Sequence, residues 1–124
     1  MILIIGGAYQ GKLEFAKETF GITDSQICLC GREELDFSRP CIAGLEEFVR
    51  CALDRGEDPV QIFKDNRQQW SSSILICRDI SCGVVPLNRE DRRWRQATGR
   101  LCQYLAGEAD RVSRIFCGLE QRLK

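Results

Sequence analysis

The sequence predicts an α/β fold built on buried, parallel strands, and three observations carry that prediction. Apolar runs of strand length recur without alternating, as at Met1 to Ile5 and Ser73 to Cys77; strands covered on both faces read this way. Segments with helical spacing separate them. A glycine-rich stretch, Gly6 to Gly11, joins the first run to the first helical segment. Strand, glycine loop, helix, strand is how an α/β fold opens.

Each element follows in order. Met1 to Ile5 is the first strand. Lys12 to Phe20 reads as a helix with Leu13, Phe15, Ala16, Thr19 and Phe20 on its apolar side, and Gly21 ends it. Gln26 to Cys30 is a second strand, turning at Gly31. Ile42 to Leu53 reads as a helix, with Leu45, Phe48, Val49, Ala52 and Leu53 at helical spacing and Arg55-Gly56 as its stop. Asp58-Pro59 reads as an N-cap followed by proline at the first position of a helix that ends near Asn66. Ser73 to Cys77 is a third strand, and Ser81 to Pro86 a loop. Asn88 to Leu105 forms the longest helix, with Glu90 and Asp91 in its first turn, a stripe of Trp94, Ala97, Leu101, Tyr104 and Leu105, and Gly107 closing it. Val112 to Cys117 and Leu119 to Leu123 complete the strands. No linker or repeat divides residues 1–124, so they read as a single domain.

Eighteen basic and eighteen acidic side chains cancel, so the balance calls for neither nucleic acid nor an anionic surface as partner. No apolar run approaches membrane-span length, so no membrane is expected. Only four apolar residues follow Met1, with no basic segment, so a cytoplasmic location with reduced thiols is expected. The eight cysteines include no C-x-x-C pair, and the chain has no histidine, which leaves no metal-ligand spacing. Cys28, Cys30, Cys77 and Cys117 lie inside apolar runs and are expected to be buried as small hydrophobes.

The stretch Gly6-Gly7-Ala8-Tyr9-Gln10-Gly11-Lys12-Leu13 has the spacing of a phosphate-binding loop and the right setting, after a strand and before a helix. Glycines let successive N–H groups turn inward around phosphate oxygens, the helix adds the positive end of its dipole, and the lysine reaches the terminal phosphates. Leu13 stands where a hydroxyl would bind magnesium and offers no oxygen, so Mg²⁺ binding is expected to be weak.

The C-terminal half, from Ile74 to Lys124, carries Gly83-Val84-Val85-Pro86, Arg93-Trp94-Arg95, Gly99-Arg100, Gln103, Gly118 and the ending Leu123-Lys124. With the glycine loop, these resemble the adenosylcobinamide kinase / adenosylcobinamide-phosphate guanylyltransferase family. The resemblance implies a P-loop NTPase-like three-layer domain with a mostly parallel sheet. It implies ATP or GTP as ligand, cobinamide as acceptor and assembly as a homo-oligomer such as a trimer. It carries Gly6, Gly7, Ala8, Tyr9, Gln10, Gly11, Lys12 and Leu13 into the nucleotide site, and gives Lys12 and Asp79 catalytic roles, Asp79 standing where that family has a glutamate. The family's guanylyl transfer runs through a histidine, which this chain lacks. Tyr9-Gln10 replaces Arg-Ser, and Arg32 to Ser71 stands where a longer segment is expected.

Alternatives remain at this level. Asp79 is equally a turn aspartate before Ser81, and Asp36 is a weaker acidic candidate. Arg89, Arg92, Arg93, Arg95 and Arg100 form a basic cluster that is either a solvated helix face or an anion or subunit contact. Gly99, costly inside a helix, would suit a close approach by another element or chain. Three functions fit: a diverged nucleotide-binding protein without guanylyl transfer, a minimal small-molecule kinase, or a non-catalytic oligomeric module.

Overall fold

The computed structural model describes residues 1–8, 10–80 and 88–124. Six strands form one sheet: β1 (Ile2–Gly6), β2 (Ile27–Leu29), β3 (Cys41–Ala43), β4 (Ile74–Arg78), β5 (Arg111–Phe116) and β6 (Leu119–Arg122). The order is β2-β3-β4-β1-β5-β6, with every pair parallel except β5 and β6. The helices are α1 (Lys12–Phe20), α2 (Leu45–Asp54), α3 (Pro59–Asp65), α4 (Arg67–Trp70) and α5 (Arg89–Glu108).

Two apolar cores explain why the central strands are apolar throughout. On one face Ile4, Ile76 and Ile115 pack with Ala16 of α1. On the other Leu3, Leu75 and Cys77 pack with Phe48, Phe63, Leu101 and Leu105 of the remaining helices. Alternate residues of one strand thus feed opposite cores. Phe63 is fully buried, with the rings of Phe37, Phe48 and Trp70 at 5.2, 5.4 and 5.7 Å. The Trp70 indole N–H donates to the Phe63 carbonyl at 2.7 Å, which satisfies its polar edge inside the core.

Most elements lie where the sequence places them, with four corrections. Cys41–Ala43 is a strand, not the start of a helix. It is short, and Gly44 (φ +75°) separates it from α2. Thr19 is exposed rather than part of the apolar side of α1. Gly107 does not close α5, which runs on to Glu108 and stops where buried Ala109 turns extended. The Lys124 ammonium meets that end by donating to the Ala106 and Gly107 carbonyls, as suits a helix C-terminus. Cys117 is not buried: with φ 51° it occupies an exposed two-residue hairpin turn with Gly118. The loop expected over Ser81 to Pro86 lies outside the described residues.

Cys28, Cys30, Cys41 and Cys77 are buried, whereas Cys51 and Cys117 are exposed. Burial raises the Cys28 and Cys30 thiols and pushes Cys41 up to about 12. Because the thiolate is the reacting form, maleimide should label Cys51 and Cys117 in the native protein, while Cys28, Cys30, Cys41 and Cys77 react only after denaturation. Peptide mass spectrometry after timed labelling checks this; early labelling of Cys41 would contradict the buried sheet. Among the described residues, no helix is long and apolar enough to cross a membrane.

Candidate functional site at the carboxyl edge of the sheet

The parallel strands β1 to β4 end at one edge, and in such sheets the ligand crevice lies there. β1 ends at Gly6, and Gly7 to Gly11 lead into α1, the only helix among the described residues that packs on the first core. Gly6 is buried between β4 and β5, where a Cβ would lie 2.6 Å from the Ile115 carbonyl oxygen. Gln10 ties the loop to the β5–β6 hairpin. Its carbonyl accepts from Gly118 N–H at 2.9 Å, and its side-chain oxygen accepts from Cys117 N–H at 2.6 Å. Gly11 then opens α1 with no side-chain cap, leaving the first amides of that helix to other partners.

Lys12 reaches back over its own loop and donates to the Gly7 carbonyl at 2.7 Å. It lines a cleft of about 420 Å³ bordered by Leu13, Arg32, Gly44, Glu46 and Arg78. Burial holds the Lys12 ammonium below its ordinary value, Glu46 opposes that shift, and Arg78 adds to it. Leu13 also borders the cleft, packed against the Ile4–Ala16 core. Ala8 is exposed at the rim. Tyr9 lies outside the described residues.

Glu46 is the carboxylate that sequence reasoning passed over. It sits in the first turn of α2 and is only 8% exposed. Its side chain accepts from the Arg78 N–H at 2.9 Å, and its carbonyl accepts from the Trp94 indole at 2.7 Å. The Arg50 guanidinium stacks 3.9 Å from the centre of the Trp94 ring. Trp94 thus fixes the backbone that carries Glu46. The sequence does hold a signal: Gly44-Leu45-Glu46-Glu47 puts acids in the first turn of a helix, but only with β3 recognised does that turn fall on the strand edge.

Asp79 follows β4 by one residue, and its N–H donates to the Gly6 carbonyl at 2.7 Å. It lines a neighbouring pocket with Ile5, Thr98 and Gly99, while Lys12 lines the cleft with Glu46. Arg78 borders both. Asp36 is engaged locally: its carboxylate accepts from the Ser38 hydroxyl and N–H, which holds it below the usual range. Arg93 and Arg100 border a groove between α5 and the α2–α3 turn, whereas Arg95 turns toward the Asp79 pocket.

The cleft is suited to phosphate: a glycine loop, a helix N-terminus, one lysine and two arginines converge on it. It is poorly suited to anchoring magnesium through the loop, because Leu13 is apolar and packs against the core. The sequence pattern of the cobinamide kinase / cobinamide phosphate guanyltransferase family matches residues 53–123, which hold β4, α5, β5 and β6. The bifunctional adenosylcobalamin biosynthesis protein CobU of Salmonella typhimurium is 31% identical over 81 residues. That match covers 64% of this chain and 45% of the relative, so the chain spans about half the length of the curated relative it matches.

Proposed function

The chain belongs to the cobinamide kinase / cobinamide phosphate guanyltransferase family, and from that membership we propose that it binds ATP or GTP through Gly6 to Leu13 without performing guanylyl transfer. The observation that carries this reading is the convergence of Lys12, Arg32 and Arg78 on the cleft at the N-terminus of α1. Triphosphate oxygens would take the amides of Gly7 to Lys12, and Lys12 would exchange the Gly7 carbonyl for a phosphate oxygen. Transfer through a histidine-bound guanylyl group has no nucleophile here, since the chain contains no histidine. Lys12 and Asp79 are the residues proposed for any remaining kinase chemistry, with cobinamide as the acceptor. Such chemistry is mostly positioning and charge neutralisation. Glu46, held by Arg78 and Trp94, is a second acid positioned beside the phosphates.

Magnesium should contribute little. Calorimetric titration of ATP and GTP should show saturable binding that changes only slightly when Mg²⁺ is added. Leu13→Ser should restore a magnesium-dependent gain of about tenfold, from one added oxygen ligand and its hydrogen bonds. Absence of binding up to millimolar nucleotide would overturn the reading. A non-catalytic assembly role is the second reading. It is favoured by Phe116, Leu119 and Leu123, all more than half exposed on or beside the antiparallel edge hairpin.

A further inference from the structure

The open edge of the sheet beyond β5 carries features that the nucleotide cleft does not explain. β6 ends the strand order, and among the described residues it pairs only with β5. Every residue of β6 is exposed. Its register with β5 fixes which backbone groups stay free. Phe116 faces Leu119 across the Cys117-Gly118 turn, so that pair is hydrogen-bonded, and the bonding alternates from there. Leu123 N–H donates to the Val112 carbonyl at 2.8 Å, in step with that alternation. Leu119 and Gln121 therefore turn their backbone groups toward β5, and Glu120 and Arg122 turn theirs outward. The side chains divide as well. Phe116 and Leu119 share one face, and Leu123 continues it just past the strand; they are 58%, 72% and 53% exposed. Glu120 and Arg122 share the other face, where Glu120 accepts from the Ser113 hydroxyl at 2.6 Å and pairs with Arg111. Arg122 donates to the Lys124 carbonyl at 3.0 Å and forms no ion pair among the described residues.

An unpaired edge strand is a template for pairing with another chain. The outward residues of β6 are one acid and one base, which a second copy can match. We propose that the β6 edges of two copies pair antiparallel about a two-fold axis at Gln121, joining the two sheets into one. In that register Glu120 faces the partner's Arg122 and exchanges both backbone hydrogen bonds with it, and Arg122 does the same with the partner's Glu120. Leu119 meets the partner's Leu123, and the apolar face runs unbroken across the join. Because outward groups alternate with inward ones, the register can slip only in steps of two residues. One step sets Glu120 against the partner's Glu120, and the other sets Arg122 against the partner's Arg122. Like charges directly opposite one another destabilise a sheet. Such self-complementarity is what an isologous two-fold contact requires. The strands of the two copies run in opposite directions, so their carboxyl edges and clefts lie at opposite ends of the join. The pairing gives the exposed hairpin a partner whether or not those clefts bind nucleotide.

The test is sedimentation equilibrium of the whole chain over a concentration series. The unaltered protein should reach twice its 14.1 kDa chain mass reversibly. Arg122→Glu sets an acid against the partner's Glu120 and should raise the dissociation constant about tenfold or more. Glu120→Arg sets base against base and should do the same. Mixed in equal amounts, these two variants should recover the dimer, because every outward pair between them is then acid against base. If Glu120→Arg does not fold, having lost its bonds to Arg111 and Ser113, Gln121→Cys carries the test. On the axis, in a Cys51→Ser, Cys117→Ser background, it should cross-link to its own copy under glutathione disulfide, since the Cα atoms of such a pair lie about 4.5 Å apart. Leu119→Cys in the same background faces the partner's Leu123 and should not. A monomer up to millimolar protein, or an oligomer that Arg122→Glu leaves intact, would overturn the proposal. So would failure of the two charge variants to associate when circular dichroism shows both folded, or cross-linking no faster at Gln121→Cys than at Leu119→Cys.

Discussion

Gly44→Ala should destabilise the protein by about 3 kcal/mol, the sum of a left-handed alanine and an overpacked contact. Gly44 has φ +75°, and a Cβ there would lie 2.8 Å from the Cys30 carbonyl oxygen. That oxygen belongs to the backbone beside β2, where Cys30 N–H donates to the Ala43 carbonyl at 2.9 Å, so it cannot swing aside. Gly21→Ala is the internal control: φ is +67°, but nothing lies within 4 Å. It should cost only the conformational part, about 1 kcal/mol. Thermal unfolding of the two variants separates these terms; at roughly 4 °C per kcal/mol for a chain of this size, Gly44→Ala should melt roughly 12 °C lower and Gly21→Ala roughly 4 °C lower. Equal shifts would mean that the β2–β3 edge yields, and that Glu46 is held less firmly than its hydrogen bonds indicate.

Lys12→Ala should weaken ATP binding by about 10- to 100-fold, the value of a charge-assisted hydrogen bond to phosphate. The fold should not suffer. The ammonium is half-buried, and that burial lowers its pKa in the folded state. A lowered lysine pKa means that the charge opposes folding at all pH values below the folded pKa. The opposition fades as pH rises toward 10.5. Removing the amine should therefore leave the melting temperature at neutral pH unchanged or slightly raised, so lost affinity cannot be blamed on unfolding. The same shift gives binding its own pH dependence. Phosphate favours protonated Lys12, so ATP affinity should fall as pH rises through the lowered pKa. Lys12→Arg should move that fall to higher pH, because a guanidinium stays charged. A flat affinity from neutral to alkaline pH in the unaltered protein would count against Lys12 as a phosphate ligand.

The fold was largely legible because its signals are local. β1 and β4 are apolar runs of strand length, α1 begins at Lys12 and ends before Gly21, and Asp58-Pro59 and Asn88 mark helix starts. The element that escaped, Cys41–Ala43, is three residues long and continues into a helix through a single glycine. Its strand character comes from pairing with β2 and β4 and not from its own pattern. Cys117 escaped for a related reason: an apolar residue beside a strand is usually buried, yet here the hairpin needs two left-handed residues.

Local sequence by itself determined the glycine loop and its lysine, the apolar character of Leu13 and the absence of histidine. These are properties of residue type and spacing, and they hold whatever the rest of the chain does. Only the tertiary structure decided what faces the loop. Glu46, Arg78 and Arg32 come from three separate segments, and the sheet order brings them to one edge beside Lys12. Strand alternation then sends Asp79 to the α5 side, where Thr98 and Gly99 border a pocket of their own. Such contacts depend on which strands pair and which face each residue takes, and that choice is made by burial over the whole molecule.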